Sequence, residues 1–231
     1  KKNAEAVMPL ASLVKVASVL TAIDYLPEDY VVKIEKESLD QIGDNGLLVD
    51  ERWKRDELFK FLLITSSNDA VNQIAKDVGR IINPEAEKPE EIFVQKMDEK
   101  MKELGFRNFE FYNETGLDLE NGVNGAYGSA RDMAKLFAYA NEMHPDIFGA
   151  TRNQNIIISS FDKEHDALNT NPITNQIDGL VSSKTGFTNM SGGNLVVEIL
   201  NKNDVKMVVI VMGSTFDERF TDVNKISEAL N

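Results

Sequence analysis

The stretch Met8-Pro9-Leu10-Ala11-Ser12-Leu13-Val14-Lys15 opens a long apolar run that ends near Leu26. Its pattern predicts a helix with Pro9 in the first turn and with Ser12 and Lys15 one turn apart on a shared face. Because the surrounding residues are apolar nearly all round, we predict that this helix is buried. Burial lowers the proton affinity of a lysine, so Lys15 could take the proton of Ser12 and turn its hydroxyl into a nucleophile.

A second copy of this spacing, Ser160-Phe161-Asp162-Lys163, lies in a polar part of the chain. Nothing near it would bury the lysine, so we predict a solvated loop there. The first copy therefore has to be judged by the other patterns that accompany it.

The composition is that of an ordinary globular protein without thiol chemistry. The chain has 231 residues, of which 42% are apolar and 27% charged. Its formal net charge of −13 argues against nucleic acid or an anionic membrane surface as a direct partner. There is no cysteine, which excludes disulfides, thiolate catalysis and cysteine-bound zinc.

The two histidines, His144 and His165, have no ligand-spaced acidic residues beside them. We therefore predict surface histidines, and neither a metal site nor a Ser-His-Asp triad. No run of the sequence approaches the ~18 apolar residues of a transmembrane helix. The opening Lys1-Lys2-Asn3 lacks the pattern of a signal peptide, so we expect a mature or trimmed product.

Periodicity and turn residues predict a block of helices followed by a block of strands. Helices are predicted over 56–64, 69–78, 90–104, 130–143 and 221–230, with Gly79 ending the second, and a loop around 43–46. Strands are predicted over 30–34, 106–111, 155–159, 180–185, 194–200 and 205–212, the last two as an antiparallel hairpin. Such segregation predicts an α+β protein. We expect one domain over 1–231, with a helical lobe over about 35–150 inserted into a sheet lobe over 1–34 and 151–231.

Three short patterns follow one another along the chain. Ser12-x-x-Lys15 opens the buried helix, Ser66-Ser67-Asn68 lies at a break between two helices, and Lys184-Thr185-Gly186 ends a strand. Taken singly, the second could be a helix cap and the third an ordinary strand end. Their joint occurrence, in this order and at these positions, argues against accident.

With these three motifs the chain resembles the penicillin-recognising serine enzymes, and among them the low-molecular-weight D-alanyl-D-alanine carboxypeptidases. Asn113-Glu114-Thr115-Gly116-Leu117, Tyr127-Gly128-Ser129-Ala130 and Asn169-Thr170-Asn171 are similar to further landmarks of that family. The resemblance runs from about Met8 to Leu230. It implies a β-lactamase/transpeptidase-like fold, with an antiparallel sheet flanked by helices.

The resemblance implies a catalytic role for each motif. Ser12 would attack the carbonyl carbon of a peptide ending in D-Ala-D-Ala, and Lys15 would act as its base. The Ser66 hydroxyl would bridge Lys15 and Lys184 and pass the proton to the leaving amine. Asn68 would hold the substrate amide and orient Lys15. A positive charge on Lys184 would keep Lys15 neutral and attract the terminal carboxylate.

The implied substrate-binding residues are Thr185, Gly186, Phe187 and Arg219. Thr185 would hydrogen-bond the carboxylate, and the backbone N–H groups of Ser12 and Phe187 would form an oxyanion hole. Arg219 would either recognise the carboxylate or form a surface ion pair.

The partners implied by the resemblance are peptidoglycan stem peptides and β-lactam antibiotics. No metal or cofactor is needed, and the enzyme would work outside the cytoplasm, with any membrane attachment lying outside this sequence. Three alternatives stay open: a serine β-lactamase, a D,D-endopeptidase and a non-catalytic peptidoglycan-binding module. Glu114 and Glu120 lie in the one candidate loop for a β-lactamase base, and neither has the expected neighbours.

The chain also departs from the family pattern. Only seven residues precede Met8, where the family has two strands; Val14 stands where threonine is common, and Phe187 where histidine or tyrosine is common. We expect the family's β-rich second domain and C-terminal membrane anchor to have no counterpart within this sequence.

Because the N-terminal strands are missing, the edge of the strand over 205–212 would be open. We expect this strand to lie on the far side of the sheet from Lys184. Its open edge would be covered by the fuller chain or by a second molecule.

Overall fold

The computed structural model describes residues 2–43 and 46–230, and in it the chain opens with a strand, β1 (Val7–Pro9), rather than a helix. Pro9 pairs with Tyr127, so the prediction that Pro9 lies in the first helical turn is wrong. A 3-10 helix (Ala11–Val14) follows and leads directly into α1 (Lys15–Ile23). Residues 15–22 of α1 are all buried, which confirms the predicted burial.

The middle of the chain is mainly helical. Its elements are β2 (Val31–Lys33), β3 (Arg52–Lys54), α2 (Arg55–Thr65), α3 (Asn68–Ile82), α4 (Pro89–Glu103), β4 (Glu110–Phe111), β5 (Ala126–Ser129), α5 (Ala130–Met143) and α6 (Pro145–Phe148). Ser129 caps α5 by accepting a hydrogen bond from the Asp132 N–H, as the sequence predicts. Of the strand predicted over 106–111, only the last two residues are in a strand. The predicted loop around 43–46 includes residues 44 and 45, which lie outside the described residues.

Helix α3 runs through Gly79 instead of ending there. The cause is close packing, since a Cβ at Gly79 would lie 1.9 Å from the carbonyl oxygen of Pro89, at the start of α4. The glycine therefore lets α3 and α4 approach each other. Sequence periodicity does not distinguish such a contact from a helix end.

The last third of the chain supplies the main sheet. Its elements are β6 (Asn155–Ser159), β7 (Glu164–Leu168), β8 (Leu180–Thr188), β9 (Gly192–Leu200), β10 (Lys206–Ser214) and α7 (Glu218–Leu230). The order across the main sheet is β8-β9-β10, and every pairing is antiparallel. Strand β7, which the sequence did not predict, pairs with β6 as a hairpin. The second Ser-x-x-Lys copy forms the turn of that hairpin and Lys163 is exposed, as predicted.

Two groups of buried side chains hold these elements together. The larger one joins α1 to α2, α3, α4 and α5 and reaches Val196 of β9. The smaller one lies between α7 and the main sheet and contains Leu195, Val197 and Val223. Each such side chain contributes about 1.5–3 kcal/mol when fully buried. The α+β architecture is thus as predicted, while the division into lobes at residues 34 and 151 stays a prediction.

Strand β10 lies at the far edge of the main sheet from β8, as predicted. Within the described ranges it pairs with β9 on one side, and its other edge pairs with no strand. What covers that edge stays a prediction. Of the helices described here, none is both long and apolar enough to cross a bilayer.

Candidate active site

Ser12 lies in the 3-10 helix between β1 and α1, and it is half-buried. The residue before it, Ala11, has a positive φ of 47°. This backbone is uncommon for a residue with a side chain and turns the chain sharply from strand to helix. Gly116 packs directly beneath it, because a Cβ there would lie 2.1 Å from the Ala11 carbonyl oxygen.

Lys15 is wholly buried and donates three hydrogen bonds. They reach the Ser12 hydroxyl oxygen at 2.9 Å, Asn68 Oδ1 at 2.7 Å and the Thr115 carbonyl oxygen at 2.7 Å. Burial lowers the pKa of Lys15 to about 7, although the carboxyl of Glu114 acts in the opposite direction. Near neutral pH a sizeable fraction of Lys15 is therefore an unprotonated amine that can accept the proton of Ser12.

Each residue of the stretch Ser66-Ser67-Asn68 has a different structural role. Ser66 ends α2 in a left-handed conformation with φ 61°. Ser67 caps α3 by accepting a hydrogen bond from the Ala70 N–H at 3.1 Å. The cap is thus the middle serine. The side chains of Ser66 and Asn68 accept hydrogen bonds from Lys184 and Lys15 respectively.

Lys184 enters the site from β8 and is 2% exposed. Its amine donates to the Ser66 hydroxyl oxygen at 2.8 Å and to the Thr185 carbonyl oxygen at 3.0 Å. The expected bridge through Ser66 is therefore made on the Lys184 side alone, because the three donors of Lys15 go to other partners.

The positive charge expected on Lys184 stays a prediction. Burial holds the pKa of Lys184 well below its usual value, and the nearby charges of Lys15 and Arg219 lower it further. Burial thus lowers the pKa of both lysines of the site, and for Lys15 it is a larger effect than the opposing one of Glu114.

Strand β8 passes in backbone contact with the start of the 3-10 helix. A Cβ at Gly186 would lie 2.7 Å from the Leu10 carbonyl oxygen and 3.2 Å from the Ser12 nitrogen. Only glycine lets the two segments come this close. Phe187, the next residue of β8, lines the same cavity as Ser12, while the roles of their N–H groups stay a prediction.

A cavity of about 360 Å³ opens in front of these groups. It is lined by Ser12, Ser66, Thr170, Thr185, Gly186, Phe187, Phe216 and Arg219. Six of these eight residues were predicted from the sequence. The structure therefore brings the nucleophile and the predicted substrate-binding residues to one opening.

A family model described as D-alanyl-D-alanine carboxypeptidase matches residues 1–215. The chain belongs to this family. It is similar to the D-alanyl-D-alanine carboxypeptidase DacF of Bacillus subtilis, with 29% identity over 97% of this chain and 56% of the relative. It is also similar to a D-alanyl-D-alanine endopeptidase of Pseudomonas aeruginosa, with 26% identity over 90% of this chain and 65% of the relative. The chain thus spans between half and two thirds of the length of these curated relatives.

Solved structures of penicillin-recognising proteins share the fold. A mutant of the Streptomyces K15 DD-transpeptidase superposes with a TM-score of 0.83 at 20% identity, covering all of this chain and 92% of that one. Penicillin-binding protein D2 of Listeria monocytogenes, in its ampicillin-bound form, gives 0.77 at 22% identity, covering 99% and 89%. The predicted β-lactamase/transpeptidase-like fold is confirmed.

Arg219 of this family member is not a surface residue. It is 3% exposed, its Nη1 donates to the Gly186 carbonyl oxygen at 2.7 Å, and its guanidinium lies 4.5 Å from the ring centroid of Phe216. Burial lowers the pKa of Arg219 to about 10, which leaves it charged at neutral pH. The surface ion pair considered from the sequence is therefore wrong, and the cation faces the cavity.

Three contributors to the site were missed or given no role. The Thr115 carbonyl accepts a hydrogen bond from Lys15. Thr170 lies with its hydroxyl 2.7 Å from that of Thr185. Both belong to stretches already similar to family landmarks, which is the signal that points to them. Phe216 packs edge-to-face on Phe187 at 5.0 Å, and no sequence pattern marks it.

The histidines take no part in this arrangement. His165 is buried, pairs with Glu51 and packs between Trp53 and Phe61, so the prediction of a surface position is wrong for this histidine. Across residues 2–43 and 46–230 there is no cluster of three or more acidic, histidine or cysteine side chains that could hold a metal ion.

Proposed function

We propose that this chain is a serine D,D-peptidase, which removes the terminal D-Ala of peptidoglycan stem peptides through an acyl-enzyme on Ser12. One observation carries the proposal above all. The buried Lys15 amine lies 2.9 Å from the Ser12 hydroxyl oxygen, and burial lowers its pKa to about 7. A serine next to a neutral buried amine is an activated nucleophile.

In the first step Lys15 takes the proton of Ser12 as the hydroxyl oxygen bonds to the substrate carbonyl carbon. Negative charge then develops on the carbonyl oxygen, between the N–H groups of Ser12 and Phe187. A donor aimed at such an oxyanion is typically worth ~3–4 kcal/mol. The close approach of Gly186 to the Ser12 backbone supports this placement.

In the second step the bond between the carbonyl carbon and the amide nitrogen breaks. Ser66 hands its proton to the departing amine and regains one from Lys184, to which it is already hydrogen-bonded at 2.8 Å. D-Ala leaves as the free amino acid. Water then attacks the ester on Ser12: its oxygen bonds to the carbonyl carbon, and one of its protons returns through Ser66 to Lys184. The bond to the Ser12 oxygen breaks as that oxygen takes its proton back from Lys15, which restores the enzyme and releases the shortened peptide.

The side chains on one side of the cavity suit a substrate with a terminal carboxylate. Arg219 and Thr185 line the cavity, and Lys184 lies beside them. An incoming carboxylate would raise the proton affinity of Lys184, which burial and the nearby charges of Lys15 and Arg219 hold down. A bound substrate carboxylate would therefore favour the protonated Lys184 that supplies the proton for the leaving amine.

The alternatives differ in their substrates or in the fate of the acyl-enzyme. A β-lactamase needs a base for rapid deacylation, but neither Glu114 nor Glu120 lines the cavity: Glu114 is buried against Asn72 and Glu120 is exposed. The similarity to a D-alanyl-D-alanine endopeptidase supports cleavage of cross-links as the second candidate. Release of D-Ala from a pentapeptide, compared with cleavage of a cross-linked dimer, separates the two peptidases.

Family membership supports peptidoglycan stem peptides and β-lactams as the molecules that reach Ser12. Because peptidoglycan lies outside the cytoplasm, we place the enzyme in the periplasm or cell-wall space. Attachment to a membrane stays a prediction.

Mass spectrometry after incubation with a labelled penicillin tests the proposal. A persistent adduct on Ser12 is expected, and Ser12→Ala should abolish both the adduct and release of D-Ala. Ser160→Ala is the matched control, because Ser160 begins the exposed copy of the same motif. Release of D-Ala by Ser12→Ala at the parent rate would contradict the mechanism. Rapid turnover of the penicillin would instead favour the β-lactamase, and no adduct the binding module.

A further inference from the structure

Glu114 is a buried acid that the proposed mechanism does not use. The residue is 4% exposed and lies in the loop between β4 and β5, next to Thr115, whose carbonyl accepts a hydrogen bond from Lys15. Glutamate is almost never fully buried unless it is paired. A carboxyl buried one residue away from a contact of the catalytic lysine therefore needs a physical reason.

Helix α1 holds this part of the loop at two points. Lys15 donates to the Thr115 carbonyl oxygen at 2.7 Å, and Ser18, one turn later, donates to the Glu114 carbonyl oxygen at 2.9 Å. The carbonyl groups of two consecutive residues, Glu114 and Thr115, are thus both hydrogen-bonded to the helix that carries Lys15.

Helix α3 contacts the same groups from its own side. Asn68 accepts a hydrogen bond from Lys15 at 2.7 Å, and Asn72, one turn later, donates to Glu114 Oε1 at 2.8 Å. Residues four apart lie on one face of a helix. The carboxyl of Glu114 and the amine of Lys15 therefore share the cleft between α1 and α3, and their positions differ by about one helical turn.

The charges around this pair act in opposite directions. Burial raises the pKa of Glu114, and the hydrogen bond from Asn72 lowers it; Glu90 on α4 and Lys15 have smaller effects, which raise and lower it respectively. In return, Glu114 raises the pKa of Lys15 against the effect of burial. The charge of Lys15 in turn lowers the pKa of Lys184 on β8. Among these neighbours, Glu114 is the group that raises the proton affinity of Lys15.

We propose that Glu114 is a positioning residue that acts as the buried counter-anion of protonated Lys15 and thereby sets the strength of Lys15 as a base. This inference rests on the proposed function. While Ser12 attacks, the proton moves from its hydroxyl to the Lys15 amine, and the Glu114 carboxylate stabilises the ammonium that forms. Glu114 itself neither touches the substrate nor accepts that proton.

Glu114→Gln tests the proposal with little change in shape. The glutamine oxygen can still accept from Asn72 Nδ2, and its N–H group can donate to Asn72 Oδ1, which has no hydrogen-bond partner among the described residues. Removing the anion should lower the titration midpoint of Lys15 from about 7. The expected shift is on the order of one pH unit, at the low end of what a nearby opposite charge produces.

Two measurements report this shift. The first is an NMR titration of the ¹³Cε resonance of Lys15, assigned by its loss in Lys15→Met, which does not require the protein to be active. The second is the pH profile of acylation by ampicillin. Its acid limb should move to lower pH in Glu114→Gln while its plateau falls, because Lys15 becomes a weaker base. A purely structural defect would lower the plateau without moving the limb.

Glu120→Gln is the matched control, because it makes the same chemical change at an exposed position of the same loop. An unchanged Lys15 midpoint in Glu114→Gln, or an equal shift in the control, would overturn the proposal.

If Glu114→Gln does not fold, an NMR titration of the parent protein tests the proposal instead. Its Glu114 carboxyl carbon should shift at the midpoint of Lys15, and no response there would overturn the idea. Failure of the parent to acylate would refute the proposed function while leaving the NMR test intact.

Discussion

Gly116→Ala should displace Ser12 and slow its acylation, although it changes no group that reacts. The glycine has a φ of +79°, and a Cβ built on it would lie 2.1 Å from the carbonyl oxygen and 2.4 Å from the carbonyl carbon of Ala11. Ala11 is bonded directly to Ser12 and itself has a positive φ. The new methyl group would therefore push on the backbone that places the serine.

The size of the effect follows from these contacts. An ordinary contact of a Cβ is 3.4 Å or more, so the two segments must separate by about 1.3 Å. A positive φ costs alanine about 1–2 kcal/mol, and overpacking adds about 1–3 kcal/mol to the loss of unfolding free energy. A displacement of about 1 Å at a reacting group can lower a rate by about 10²-fold.

Gly122→Ala is the matched control for the backbone term. Gly122 lies in the same loop with a φ of +77°, but no atom lies within 4 Å of the Cβ that it would gain. Urea unfolding and the rate of acylation by a labelled penicillin should be measured for both variants. Gly116→Ala should lose about 1–3 kcal/mol more than the control, and it alone should acylate slowly. Equal behaviour of the two variants would refute the claim that Gly116 supports Ser12.

Two further predictions concern the base and the substrate carboxylate. Because Lys15 must be neutral to accept a proton and its pKa is lowered to about 7, acylation of the parent should rise with pH through about 7 and fall below it. A rate that stays flat from weakly acidic to alkaline pH would rule out Lys15 as the titrating base. Thr170→Val removes the hydroxyl that lies 2.7 Å from that of Thr185; loss of one hydrogen bond of about 1 kcal/mol should lower kcat/KM for D-Ala release about fivefold. Unchanged kcat/KM in that variant would show that Thr170 does not orient Thr185.

The two lysines of the site show what the motifs predict and what they do not. Ser12-x-x-Lys15 and Lys184-Thr185-Gly186 identify both amines, and the resemblance assigns the positive charge to Lys184. In the structure, burial lowers the pKa of both amines. Burial depends on how the helices pack against β8, which no local pattern encodes, so this lowering of the Lys184 pKa could not be read from the motif.

The local sequence was sufficient for properties that depend on short spacing. The one-turn separation of Ser12 and Lys15, the polar break at Ser66–Asn68 and the hairpin of β9 and β10 all depend on periodicity or turn residues within a few positions. These features were predicted correctly, and they led to the family and to most residues of the cavity.

Only the tertiary structure decided the properties that depend on contacts between distant segments. Pro9 belongs to a strand because residues near Tyr127 pair with it, and Gly79 lies inside a helix because α4 packs against it. Arg219 is turned inward by its hydrogen bond to Gly186 and its aromatic neighbours, and Glu114 approaches Lys15 because α1 and α3 both bind its loop. In each case the free energy comes from a partner far away along the chain, and the residue's own neighbours in sequence do not reveal it.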